Sequence, residues 1–417
     1  MRIVLWEMRK ILRPRLLIAA VLVAAIYYFI LPNIAITVVQ RPFPSDSLYY
    51  AVKMTQEFGP TLEDAEFEET GLWLDDLYRQ ADDFIRADPL IASLGIQTYK
   101  ELREYNDEKS FEWSESIIAE NGVAHQDDMP EDLTHINDVI WMILGQPTDT
   151  GDGFIGWRIQ ELELIRDRYS LWGVEVSRDV NDPSWYADYL TWLQETDAYN
   201  DPTGIMPWNV LDSAVFPYIS FCLVWVVLIL TLLIAPILTR DRMAYMDTLQ
   251  YASKRGRRVY HSQLWAVLLT AFLLVTIMLG VCAIALVKVA RVDVLWNNLM
   301  KSFWFGSLII PFTMGQYLLI MAAFAYALGL GAALALFCLS GYSRNLTKMV
   351  VKAAIPVFVG AGILGGAVLT WNGVFHNVKL RFESGIPFLE AGGPLLVLIV
   401  GVTMALFFLW KQRKAEL

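Results

Sequence analysis

The chain has few cysteines, and none of them lies where a disulfide framework would need it. Cys222, Cys282 and Cys338 are the only three, and each lies inside an apolar stretch. The polar part of the chain therefore holds no disulfide scaffold. Charged residues are also scarce, at 18% of the sequence against about 25% in an ordinary soluble domain.

Motifs of catalysis and of nucleotide binding are missing as well. The four histidines are never spaced as a His-x-x-x-His pair, and neither His-Glu-x-x-His nor Gly-x-Ser-x-Gly occurs. The chain also lacks Gly-x-x-x-x-Gly-Lys-[Ser/Thr], so it cannot cradle ATP phosphates by that device. These absences argue against an enzyme and against a metal site in this chain.

Long runs without any charged residue dominate the rest of the sequence. Six such runs reach the roughly 20 residues that a helix needs to cross the hydrocarbon of a bilayer. A soluble protein is therefore excluded, and we expect an all-α polytopic membrane protein. The predicted transmembrane helices cover residues 15–40, 213–239, 261–287, 315–340, 353–375 and 392–411.

The orientation of these helices follows from the basic residues around them. The run from Ser302 to Ser343 could hold one crossing or two, and one crossing places the following basic clusters on the cytoplasmic side, as the positive-inside rule requires. We therefore predict six crossings in the cell membrane, with both termini cytoplasmic. Residues 1–14 form a basic segment with an apolar face and predict a cytoplasmic interfacial helix rather than a cleaved signal.

Acidic residues are concentrated between the first two predicted membrane helices. Residues 41–212 hold 37 acids and 11 bases, a balance of −26, and would form a mainly helical extracellular domain. Such a charge repels phosphates and excludes a nucleic-acid partner. Eight tryptophans in the domain leave two interpretations open: a receptor for a cationic ligand, or a solvated acidic surface over an aromatic core, which we favour.

The loop between the second and third predicted membrane helices is the most informative segment. Asp241-Arg242 opens it, and Asp247-Thr248-Leu249 and the small residues Ala252-Ser253 precede the basic cluster 254–258. This loop resembles the cytoplasmic loop of the six-helix permeases of ATP-binding-cassette (ABC) transporters, in the type-2 exporter family. Gln263 stands where lysine is common in that family, and Ala244 where glycine is common. The layout of one helix, a large outer insert and five further helices is similar too.

The resemblance implies that loop 240–260 couples the membrane helices to a separate ABC ATPase subunit, which would bind ATP and Mg²⁺ so that this chain holds no cofactor. A second permease copy or a paralogue would complete the transport path within the lipid bilayer. Apolar residues of the loop would dock on the ATPase in a helix-in-groove mode, and the bases would pair with its acids or with lipid headgroups. In the alternative interpretation, the bases only fix the orientation of the helices in the membrane. The predicted docking residues are Arg242, Met243, Met246, Asp247, Leu249, Tyr251, Lys254, Arg255, Arg257 and Arg258.

Glycines inside the predicted membrane helices suggest close helix packing, within one subunit or across a dimer. Residues 360–365 match Gly-x-Gly-x-x-Gly, but they lie within an apolar run with no strand before them, so a dinucleotide site is excluded. Small residues that let two backbones approach are the better interpretation. The packing residues predicted in this way are Gly329, Gly331, Gly362 and Gly366.

Two functions of another class remain open from the sequence. The chain could be a membrane-anchored sensor or immunity protein whose acidic domain captures a cationic ligand. It could also be a membrane-embedded enzyme, although the six apolar runs contain no carboxylate and no reactive pair. The same lack of charge argues against an ion-coupled carrier, which needs ionisable groups inside the membrane.

Overall fold

The regular secondary structure of the described residues is helical. The computed structural model describes residues 2–41, 44–121, 129–151, 153–171, 203–207, 210–244, 259–300, 302, 312–343, 345, 348 and 392–414. Within these ranges, pairing between extended segments is limited to three isolated β-bridges. The all-α prediction is therefore confirmed for the described residues.

Five helical segments are long and apolar enough to cross a membrane, as judged by length and composition. The prediction of a multi-pass membrane protein is supported to that extent, and the predicted helix at 353–375 lies outside the described residues. We call the five segments the first, second, third, fourth and last spans. They cover Pro14–Gln40, Ser213–Met243, Val259–Ala290, Met314–Gly341 and Gly392–Lys411.

Prolines divide two of these spans into shorter helices. The first span consists of α2 (Pro14–Ile30), α3 (Pro32–Thr37) and a short 3-10 turn, because a proline has no N–H to continue the helix and fits best at its start. The second span is interrupted at Ala235-Pro236, which separates α10 (Phe216–Ile234) from α11 (Ile237–Met243).

Each of the other three spans is a single long helix, and the fourth span packs against the second, third and last spans. The third span is α12 (Val259–Ala290), the fourth is α13 (Met314–Gly341), and the last lies in α14 (Gly392–Lys414). Helix α13 packs against α10, α12 and α14. The N-terminal helix α1 (Arg2–Ile11) lies against α12 and exposes Trp6.

A helical segment follows the first span, as predicted. Its helices are α4 (Pro44–Glu57), α5 (Asp64–Ala87), α6 (Pro89–Ser93), α7 (Tyr99–Asn121), α8 (Glu131–Leu144) and α9 (Ile155–Leu171). Their apolar faces meet in a core where Ile85, Leu102 and Leu162 are fully buried. Helix α6 begins at Pro89 with Asp88 as its N-cap, whose carboxylate accepts hydrogen bonds from two backbone N–H groups. The sequence Asp88-Pro89 predicts this cap, because a capping acid followed by a proline in the first turn is typical of a helix start.

An ion pair and a hydrogen bond to the same carboxylate connect three of these helices. Arg103 on α7 lies 2.7 Å from the Glu163 carboxylate on α9, and Tyr78 on α5 donates its hydroxyl proton to the same carboxylate. Burial and this hydrogen bond both raise the pKa of Tyr78 above its ordinary value of 10.0. The tyrosine therefore stays protonated and acts as a permanent donor.

Candidate functional site

The candidate site is the junction from which the predicted coupling loop leaves the spans. Of the predicted docking residues, Arg242 and Met243 are described, and Met243 is 56% exposed at the end of α11. The other eight, all between Met246 and Arg258, lie outside the described residues, and so do Gly362 and Gly366. The structure therefore describes the two ends of the loop, up to residue 244 and from residue 259.

Arg242 joins the end of the second span to the end of the fourth. Its guanidinium donates hydrogen bonds to the carbonyl oxygens of Gly341, at 2.7 Å, and Ser343, at 2.8 Å. Carbonyl groups at a helix C-terminus have no partner within the helix and carry the negative end of its dipole. A half-buried cation at this position therefore both satisfies these oxygens and stabilises α13.

Ser340 makes a second link between the same two spans. Pro236 leaves the first N–H groups of α11 without helical partners, and the Ser340 Oγ accepts from the N–H groups of Leu238, at 3.0 Å, and Thr239, at 3.2 Å. Ser340 and Thr239 are fully buried. The helix break in the second span is thus capped by a side chain of the fourth.

Two carboxylates meet beside this junction, the buried Glu7 of the N-terminal helix and the half-buried Asp241 of α11. The Gln263 amide, at the start of the third span, donates to Asp241 Oδ2 at 2.8 Å and to Glu7 Oε2 at 3.3 Å. Lys10 Nζ lies 2.8 Å from Glu7 Oε1 and 3.7 Å from Asp241 Oδ2. We call Glu7, Lys10, Asp241 and Gln263 the root cluster.

The root cluster has two acids and one base, and two of its members are almost inaccessible. Glu7 is 5% exposed and Gln263 is 0% exposed. Because carboxylates removed from water need charge-assisted donors, Lys10 supplies the positive charge beside Glu7 and Asp241. The Gln263 Oε1 atom has no hydrogen-bond partner among the described residues.

Sequence reasoning placed Glu7 and Lys10 on an interfacial helix but did not connect them with the loop. The only local signal was their spacing of three residues, which puts both side chains on one face of a helix. A carboxylate on the face that turns towards the spans requires a partner there. That requirement could have suggested a contact, but not which residue provides it.

The described glycines of the fourth span lie at close helix contacts. A Cβ atom at Gly331 would lie 2.5 Å from the Cα atom of Leu398, and one at Gly401 would lie 2.2 Å from the Gly331 carbonyl oxygen. Helices α13 and α14 therefore meet backbone to backbone. At Gly329 an added Cβ would lie 2.6 Å from Val275 of α12.

The junction as a whole connects α1 with the second, third and fourth spans through polar contacts near one end of the bundle. No family model matches the chain, and no curated protein or solved structure is similar to it.

Proposed function

We propose that this chain is the membrane-spanning permease subunit of an ATP-driven ABC exporter. A separate ATPase subunit would move it through loop 241–258, and a second permease copy or a paralogue would complete the path. ATP binding would close the ATPases, shift the loop and change the packing of the spans. The five spans carry charged residues only near their ends, at Arg15, 240–242, Lys288 and Lys411, and this supports a device driven from outside the membrane rather than by ion coupling.

The observation that carries the proposal is the way in which the root of the loop is fastened. Arg242 bonds the carbonyl groups at the end of the fourth span, and Asp241 shares the Gln263 amide with Glu7. A loop that served only as a connection would not need buried ionic contacts to three other elements. In a coupled machine these contacts pass a push on the loop to α1 and to the second, third and fourth spans together.

The test is co-purification of the full chain with an ATPase, combined with reversal of two loop charges. The variant R257E/R258E should lose the ATPase and the stimulation of its turnover, because both bases would then repel the acids that they pair with. The matched control R257K/R258K keeps the charge and should retain the partner. Both variants must keep the near-ultraviolet circular dichroism spectrum of the parent, so that loss of the ATPase cannot result from unfolding of the acidic domain.

Two results would contradict the proposal. One is the absence of any ATPase from the native complex, together with saturable binding of a cationic ligand by the acidic domain, which would favour the sensor function. The other is solute flux sustained by the purified chain alone in liposomes, since the proposal assigns the energy source to another polypeptide.

A further inference from the structure

A large open cleft of about 730 Å³ lies where the helical domain meets the ends of two spans. Val39 and Gln40 contribute the last residues of the first span, and Val289 lies at the end of the third. Lys53 on α4 and Arg158 on α9 form walls on the domain side. The cleft therefore lies at the ends of the first and third spans.

The deepest charges of the cleft form a compensated pair. The side chains of Arg158 and Asp46 are 4% and 5% exposed, and Arg158 Nε lies 2.8 Å from Asp46 Oδ1. The guanidinium also lies over the ring of Tyr49, at 3.2 Å from its centroid. This pair gives the cleft a rigid polar floor, because the aromatic face and the carboxylate hold the guanidinium on two sides.

Basic side chains predominate around the rest of the cleft. Besides the pair at its floor, the lining contains two bases, Lys53 and Arg291, and one acid, Glu57. Lys53 Nζ is held 3.7 Å above the ring of Trp73. The bases of the lining thus outnumber its acids by one, in contrast to the balance of −26 in residues 41–212.

Arg291 lines the cleft and has an unfavourable backbone conformation. It follows α12 directly and has a φ of +49°, in the left-handed region where glycine is the usual residue. Among the described residues it is the one non-glycine with positive φ. Its ion pair with Asp293 is long, at 3.6 Å, and exposed, so it stabilises this conformation little. Strain of this kind is typical of positions where the side chain is needed.

We propose that this cleft binds the phosphate of a membrane phospholipid, with Arg291 and Lys53 as its direct contacts. The headgroup layer is about 5–7 Å thick on each face of the bilayer, as the total and hydrocarbon thicknesses imply. We place residues 39–40 and 289–291 at that level because they lie at the ends of the first and third spans. A lipid bound there joins the membrane to the helical domain. This inference does not depend on the transport proposal.

Thermal unfolding of the delipidated full chain in detergent tests the inference with three probes. These are dioctanoyl phosphatidylglycerol, dioctanoylglycerol, which has the chains without phosphate, and inorganic phosphate. The phosphatidylglycerol should raise the melting temperature saturably, and the other two should not at the same concentrations. R291Q and K53Q should each weaken the apparent affinity about tenfold, the loss expected for one charge-assisted hydrogen bond.

Two further variants separate recognition from folding. K288Q removes an exposed base three residues before Arg291 that does not line the cleft, so it should bind the lipid as the parent does. R291G relieves the left-handed strain, so it should unfold at a higher temperature without lipid and yet respond less to it. Equal lipid affinity of R291Q, K53Q and the parent would overturn the proposal. So would an inorganic phosphate response equal to that of the lipid, which would identify a site for a free anion.

Discussion

The Sγ atoms of Cys222 and Cys282 lie 3.0 Å apart, on the second and third spans. Both thiols are reduced and buried, and they line an apolar cavity between these two spans and the fourth. The pair therefore reports directly on the separation of the two helices that the predicted coupling loop connects.

A membrane-permeant oxidant such as iodine should join these two cysteines in the native chain. Each thiol loses its proton, two electrons pass to iodine, and one S–S bond forms, since the sulfurs already lie in contact. Trypsin cleaves the basic loop 254–258, so the two fragments should remain together on a non-reducing gel and separate after reduction. C222S and C282S should each abolish the link, and C338S should preserve it. Fragments that separate in every sample would contradict the observed packing of the two helices.

The root cluster predicts that a lysine at position 263 can replace the charge of Lys10. K10Q leaves the two carboxylates with only the Gln263 amide, and it should lower the free energy of unfolding by about 1–3 kcal/mol. Q263K should restore the loss in the double variant K10Q/Q263K, because an ammonium group at that position reaches both carboxylates. The melting temperatures of the four proteins in detergent form a double-mutant cycle. Strictly additive effects would show that positions 10 and 263 do not share the carboxylates.

The sequence predicts the helices of this junction but not the contacts between them. The apolar run of the third span predicts α12 because the thickness of hydrocarbon sets the length of a crossing helix. The contact of Gln263 with Glu7 joins residues 256 positions apart, and no local pattern specifies which helices become neighbours. Gly331 was predicted as a packing residue from its neighbours in sequence, whereas its counterpart Gly401 is isolated in an apolar run and gave no signal.

The N-cap of α6 predicts an acid-sensitive contribution to the stability of the helical domain. Burial alone would raise the pKa of Asp88, but hydrogen bonds from the Ile91 N–H and from His135 outweigh it, so that the pKa lies below its ordinary value of 3.8. A carboxylate with a lowered pKa stabilises the fold at pH values above 3.8, and this contribution disappears as the pH falls through its folded-state pKa.

Substitution of Asp88 should show this dependence. D88A removes the cap and should reduce the free energy of unfolding by about 1 kcal/mol at neutral pH. D88N keeps a capping oxygen without the charge, so its stability should fall less than that of the parent between about pH 5 and about pH 2. The measurement is urea unfolding of the full chain in detergent, followed by tryptophan fluorescence. D83N on α5, where the side chain is 71% exposed, is the control and should follow the parent. An unchanged acid response of D88N would contradict the prediction.

The contact between Gly331 and Gly401 predicts the largest effect of a single added methyl group. In G401A the new Cβ would lie 2.2 Å from a backbone oxygen of α13, which cannot rotate away as a side chain can, so the two helices must separate. Overpacking of this kind should lower the free energy of unfolding by about 1–3 kcal/mol. G280A is the matched control, because a Cβ on that glycine of α12 meets nothing within 4 Å. Alanine has the higher helix propensity, so G280A should be neutral or stabilising by up to about 1 kcal/mol. If G401A and G280A melt at the same temperature in detergent, α13 and α14 do not meet backbone to backbone in the folded protein.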